Sequence, residues 1–209
     1  MATSNKKVRF GLKNAHYAVF NEQTGAYGTP KWIPGSVSLS LTREGETNDF
    51  FAEDETWASF EQNLGYSGDL EIPFVEDQLL IDLLGYTKDS NTGVVAEPSD
   101  VRAAEFALLF EQGGNKDKVA YVFYNCTLSR PEASMNTKSD STDPDTSTLS
   151  IRMKSRNFDI DSEVVSIVKA YVNSEDSTTF NAWYSSVKMP ATGATVHVDG
   201  GDTGDTAQG

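Results

Sequence analysis

The chain has 209 residues, 17 Lys+Arg against 31 Asp+Glu, and a formal net charge of −14. Its 38% hydrophobic and 11% aromatic residues supply enough apolar mass for a core, which excludes a wholly disordered chain. The acidic balance excludes a protein built to grip nucleic acid, since such binding rests on Lys and Arg neutralising phosphates. A single cysteine, Cys126, excludes an internal disulfide framework. Residues Met1 to Lys7 lead into no apolar segment, and no run approaches the ~18 residues that span a bilayer. We therefore expect a soluble protein of a reducing compartment with no membrane partner.

In chain order, Val8–Leu12 and Tyr17–Phe20 alternate as strands, and Gly25–Pro30 is turn-rich. After a break at Pro34-Gly35, Ser36–Thr42 is the cleanest strand of the sequence. Val37, Leu39 and Leu41 fall on one face, with Ser36, Ser38, Ser40 and Thr42 on the other. Glu44 and Glu46 join the polar face if the extended conformation continues. A second strand repeats the scheme, with Tyr66, Leu70 and Ile72 on one side and Ser67, Asp69 and Glu71 on the other. Between them, residues 44–64 read as a long acidic loop carrying Phe50, Phe51, Trp57 and Phe60. Loops longer than about 12–15 residues are uncommon in compact domains and are usually functional.

The period then changes. Pro73 to Asp77 opens a helix, Leu79, Leu80, Leu83 and Leu84 form its apolar stripe, and Gly85 stops it. Ala104–Glu111 and Val119–Asn125 flank Gly113-Gly114 and read as a hairpin. The alternative is a buried helix over 103–110 after a Ser99 or Asp100 cap; the glycine pair favours the hairpin. Residues 131–145 are polar and turn-forming. Leu149, Ile151 and Met153 alternate inward on a further strand, and Val164–Val172 is β-branched. Phe180, Trp183, Tyr184 and Val187 stand at helical spacing before Pro190.

Residues 191–209 are Gly, Asp and Thr with little to bury, and read as a flexible C-terminal tail behind one domain at 1–190. The sum, roughly eight or nine strands with one or two helices, predicts a mainly β fold: an antiparallel β-sandwich or partial barrel with a flanking α-helix.

Chemistry-bearing motifs are missing. His16 and His197 each lack a second ligand nearby, so no metal site is expected. Asp140, Asp143 and Asp145 lack the spacing and glycine of an EF-hand, and Gly113-Gly114 with Lys116 lacks a P-loop spacing. Cys126 follows an aromatic strand and reads as a small buried hydrophobe. No carboxylate pair is singled out by a motif. We expect no enzyme and no cofactor.

Two strands nevertheless present a purely Ser, Thr and acid face. In an ordinary sandwich that is the wet side of a sheet. The aromatics at 50–60 are too many for a free surface loop, and either fold back on the core or are buried by another chain.

The block from Lys7 to Ala18, then Tyr27–Pro30, Arg43–Ala52 and Asn63–Ile72, resembles the major tail proteins of bacteriophages with long non-contractile, siphophage-type tails. Tyr124–Pro131 is similar to a later strand of that family, and the likeness covers most of residues 6–190.

The resemblance implies a tail-tube fold and a structural virion protein. Hexameric rings would stack into a tube through which DNA leaves, four strands of each subunit joining a continuous barrel. It further implies tape-measure and tail-terminator or tip proteins as partners, DNA passing without specific binding, and a place in the virion tail after assembly in the host cytoplasm. No additional C-terminal immunoglobulin-like domain is expected.

On this reading Ser36, Ser38, Ser40, Thr42, Glu44, Glu46, Ser67, Asp69 and Glu71 line the channel. Phe50, Phe51, Trp57 and Phe60 sit between subunits. Arg152 and Lys154 cut against a uniformly acidic bore and are expected to pair with acids on a neighbouring strand or subunit. The alternatives are a virion-surface or extracellular carbohydrate-binding β-sandwich, a β-sandwich hydrolase, and the tube protein of a contractile tail or secretion needle.

Overall fold

The computed structural model describes residues 8–52, 55–114, 117–131 and 146–198, of which 47–52 and 56–61 are described by their backbone. In chain order these form β1 (Arg9–Asn21), β2 (Ala26–Tyr27), β3 (Lys31–Trp32), β4 (Ser38–Ala52), β5 (Glu55–Ile72), helix α1 (Asp77–Leu84), β6 (Thr87–Lys88) and β7 (Val95–Ala96). There follow β8 (Glu105–Gly114), β9 (Val119–Leu128), β10 (Ser147–Lys154), β11 (Arg156–Ile160), β12 (Glu163–Ile167), β13 (Lys169–Asn173), helix α2 (Ser177–Asn181) and β14 (Thr195–Val196). The fold is mainly β and antiparallel, with a helix on its flank, as the alternation predicts.

The main sheet runs β2-β1-β8-β9-β10-β5-β4. It forks along β9, whose Val119–Phe123 half pairs β13 while Asn125–Leu128 pairs β10. The fork coincides with a bulge. β8 advances from Phe106 to Leu108 while β9 retreats from Cys126 to Phe123, leaving one extra residue on β9. The bulge reverses the alternation, so that Phe123, Cys126 and Leu128 all reach one core. Tyr124 points to the other side, where its hydroxyl donates to the Lys188 carbonyl at 2.9 Å.

Two cores flank the centre of this sheet. The first gathers Tyr17, Leu70, Ile72, Phe106, Leu108, Phe123, Leu149, Ile151 and Met153 under Leu79, Leu83 and Leu84 of α1. The second gathers Phe20, Leu109, Val122 and Tyr124 under Phe158, Trp183, Val187 and Val196. Strands β8 and β9 and the second half of β1, from Ala15 to Phe20, are thus buried on both sides. The β10–β5–β4 wing is buried on one.

Helix α1 begins at Asp77, four residues after Pro73, because Glu76 is still extended and acts as the N-cap. It ends as predicted at Gly85, whose left-handed φ of 68° lets its N–H bond the Leu80 carbonyl. Asp82 ties the helix to the sheet. Tyr17 donates to it at 2.8 Å, Gln78 donates at 2.8 Å, and Lys31 forms an ion pair. Burial opposes the charge of Asp82, but these donors more than offset it and hold the carboxyl below its ordinary 3.8.

The structure corrects several expectations. Residues 44–64 are not a loop: β4 and β5 continue as a paired hairpin from Ser38↔Glu71 out to Ala52↔Glu55. A strand pattern read from apolar alternation fails at the base of that stretch, where Glu46, Gln62, Asn63 and Leu64 are exposed. Val37 and Leu41 are not inside, being 56% and 38% exposed, because β4 is the edge strand. The second helix covers only Ser177–Asn181 and gives way to turns, although Trp183 and Val187 are buried as their spacing suggests. The domain also extends past 190: Ala194 and Val196 are buried, and β14 pairs β11 through Phe158↔Val196. The polar stretch at 132–145 and residues 199–209 of the expected tail lie outside the described residues.

Within the hairpin, β5 carries one extra residue at Leu64, between the Glu44↔Gly65 and Gly45↔Asn63 pairs. Gly65 sits there with φ of +110°, and a Cβ on it would lie 2.1 Å from the Met153 carbonyl oxygen. The bulge marks where β10 stops, since its last pair with β5 is Met153↔Tyr66. Beyond it the hairpin continues as a two-stranded arm.

Gly65→Ala should destabilise the fold by at least the roughly 1–3 kcal/mol of backbone strain, lowering the urea midpoint. Asp82 contributes stability above pH 3.8 that is lost as pH falls through its lower folded value. Asp82→Asn should therefore flatten the acid limb of a stability-against-pH curve.

Candidate functional site

The wing places the predicted polar residues in cross-strand rows. Strand β5 is the middle strand, so each of its polar residues is flanked from both sides. Ser38 and Thr148 face Glu71, Ser40 and Ser150 face Asp69, and Thr42 and Arg152 face Ser67. Side chains directly opposite on antiparallel strands lie about 4.5–5.5 Å apart at Cβ, close enough for a hydroxyl to reach a carboxylate.

The hydrogen bonds follow that register. Ser38 donates to Glu71 Oε2 at 2.9 Å, and Thr146 donates to its Oε1 at 2.7 Å. Ser150 donates to Asp69 Oδ1 at 2.7 Å. The bond from Thr146, then that from Ser38, holds the Glu71 carboxyl below the ordinary glutamate value. A shallow trough of about 260 Å³ runs between these rows, lined by Ser40, Thr42, Ser67, Asp69, Ser150 and Arg152. The row containing Arg152 continues to Thr127 of β9 and Glu105 of β8.

Glu44 continues the face beside the Gly65 bulge, and Glu46 lies past it on the arm, opposite Gln62. Ser36 does not join. It precedes β4, and its hydroxyl donates back to the Ile33 carbonyl at 3.5 Å. Arg152 and Lys154 stand on the same face and form no ion pair among the described residues; their cross-strand neighbours are Ser67, Thr127 and Asn125. The in-chain partner expected for them is therefore absent among those residues.

Thr146, Thr148 and Ser150 also belong to the face. Thr148 and Ser150 were legible in the alternation with Leu149 and Ile151. Thr146 precedes β10 and carries no periodic signal.

Phe50, Phe51, Trp57 and Phe60 lie on the arm, and their side chains are outside the described residues. Their backbone pairs are Phe50↔Ala58, Phe51↔Thr56 and Asn48↔Phe60, with Trp57 the extra residue of a second register shift.

Elsewhere, Cys126 is fully buried, and burial pushes its thiol well above the ordinary range, which keeps it protonated. His16 stacks on Tyr184 at 4.4 Å between centroids, and His197 Nδ1 lies 2.8 Å from Asp159. Among the described residues no three His, Cys, Asp or Glu side chains converge as metal ligands, and no helix is long and apolar enough to cross a membrane. The built feature is a surface of hydroxyls and hydroxyl-bound carboxylates. Neither the models of known protein families nor the curated proteins match the chain.

The Glu71 carboxyl should titrate below 4.5 in a carbon-13 NMR series, and Thr146→Val should move it part of the way back up. A Glu71 titration that ignores Thr146→Val would remove the hydroxyl bond as its cause.

Proposed function

We propose that this chain is a structural subunit that assembles with copies of itself into stacked hexameric rings forming a phage tail tube, with the polar face of the β10–β5–β4 wing turned to the bore. The observation that carries the reading is the one-sided wing. Its hydroxyl–carboxylate face is covered by no described element, and it ends in an edge strand, β4.

Physical chemistry connects that face to DNA passage. Duplex DNA carries one charge per about 1.7 Å, and a protein holds it by replacing condensed counterions with Lys and Arg. Here the Ser38 and Thr146 hydroxyls are already committed to Glu71, and that of Ser150 to Asp69. Glu44, Glu46, Asp69 and Glu71 outnumber Arg152 and Lys154. Phosphates meet mostly like charge, and the genome slides without adhering.

The open edge of β4 suits ring closure, since pairing it with a neighbour removes the unpaired N–H and C=O groups that an exposed edge leaves. The chain would then work in the virion tail, next to tape-measure and terminator or tip proteins, with no enzymatic step. A carbohydrate-binding module has one supporting feature, the 59% exposed Trp32 of β3, but the cleft beside it measures about 10 Å³ and offers a sugar no walls.

Negative-stain microscopy of concentrated protein should reveal rings or hollow rods. A particle that stays a monomer at every concentration, or that binds glycans through Trp32, would overturn the reading. In assembled tubes, Asp69→Lys with Glu71→Lys should leave the rods intact and slow DNA passage, and added salt should relieve the slowing. Unchanged passage would move the polar face off the bore.

A further inference from the structure

The apolar side of β4 is as unusual as its polar side. The main sheet curls until β4 approaches the start of β1, and a slot of about 500 Å³ is left between them. Its walls include Leu12, Leu39, Leu41, Phe110 and Phe123, and Lys169 reaches in to place its ammonium 4.6 Å from the Tyr66 ring centroid. Val37 in its wall is 56% exposed. A volume in the range of about 300–1,000 Å³ takes several side chains rather than one.

The slot is also locally basic on an acidic protein. Lys169 is the only charged residue among its described walls and forms no ion pair with a described residue. Arg9 stands beside it, bonding the Tyr121 hydroxyl at 3.4 Å. What fits such a slot is an extended segment with aromatic side chains and negative charge.

The chain contains one such segment. Residues 48–61 carry Phe50, Phe51, Trp57 and Phe60 with Asp49, Glu53, Asp54, Glu55 and Glu61, and no Lys or Arg. The described part of this segment, 48–52 and 55–61, belongs to the outer β4–β5 arm, which runs about 25 Å beyond the Gly65 bulge at the usual rise of a strand. The arm continues β4 itself, so it cannot turn back into the slot beside β4 without breaking its own ladder. We propose that the slot between β1 and β4 is the receptor for the 48–61 arm of a second copy, its aromatics seated on Leu39, Phe110 and Phe123 and its carboxylates meeting Lys169 and Arg9. This rests on the self-assembly reading above and adds which two surfaces meet.

The test uses full-length chains bearing single added cysteines, with native Cys126 fully buried and out of reach. Val37→Cys is mixed with Phe51→Cys, and separately with Phe50→Cys, because successive residues of a strand point to opposite faces. After mild oxidation of the assembled fraction, one of the two mixtures should yield a disulfide-linked pair joining position 37 to the arm, and neither variant alone should. Hollow particles without any mixed cross-link overturn the slot assignment and leave the tube reading standing. Monomers in sedimentation with no cross-link overturn both.

Lys169→Glu gives a second readout. It should raise the concentration needed for assembly by about tenfold while the circular dichroism spectrum stays unchanged. An unchanged threshold would show that the arm does not meet this slot.

Discussion

The β8–β9 hairpin is the part of the molecule on which the rest depends, because both of its faces are buried and every other layer is positioned against it. Phe106, Leu108 and Phe123 face α1 on one side, while Leu109, Val122 and Tyr124 face Trp183, Phe158 and Val196 on the other. Burying a side chain of this size contributes about 1.5–3 kcal/mol relative to exposure, so a strand pair buried twice concentrates the stability of the fold in a few residues. The bulge in β9 is what lets one strand serve both cores and still release its last residues to pair with β10.

From that centre the β10–β5–β4 wing extends further than the apolar side chains can cover. Leu149, Ile151 and Leu70 fill the near half of its inner face, but by β4 the cover has run out and Leu41 lies over Gly68 at the lip of an open slot. The outer face compensates with hydroxyl–carboxylate pairs, which satisfy its polar groups without recruiting cations. Exposed pairs of this kind contribute little stability. Their effect is on the character of the surface: Thr146 and Ser38 hold the Glu71 carboxyl below its ordinary value, and Ser150 is committed to Asp69.

Much of this was legible in the sequence wherever one side of a strand meets a core. Ser38, Ser40, Ser67, Asp69 and Glu71 were placed together by period-two alternation alone, because Leu70 and Ile72 on their reverse are buried. The α1 stripe and the Gly85 stop were legible for the same reason, from a 3.6-residue period ended by a left-handed cap. The arm at 45–52 and 55–63 was not, since its sequence does not alternate and its pairing is set by the β4–β5 ladder. Ser36 lies off the face although it shares the alternation, because periodicity does not reveal where pairing begins. Val37 and Leu41 are exposed although they alternate like core residues, because alternation cannot distinguish an edge strand from a central one. Ala194 and Val196 were hidden in a stretch whose composition is otherwise that of a linker.

An exposed edge strand with an apolar flank would ordinarily be an aggregation hazard, and the chain carries two features that restrain it. The first is the charge of −14, whose repulsion between copies is screened only beyond about 8–10 Å at moderate salt. On the assembly reading, copies approach against a barrier that only a well-fitted apolar contact offsets. The second is the Gly65 bulge, which ends the three-stranded pairing and carries the hairpin past β10 as a ribbon. Two-stranded ribbons are marginal in water on their own, so the arm gains from a partner more than a packed strand would. On the proposed docking, a molecule repelled at long range and completed at close range by the arm of a second copy favours a specific ordered contact over indiscriminate edge pairing. On the tube reading, the same negative charge that keeps DNA from adhering to the bore also keeps free subunits apart until their apolar surfaces are in register.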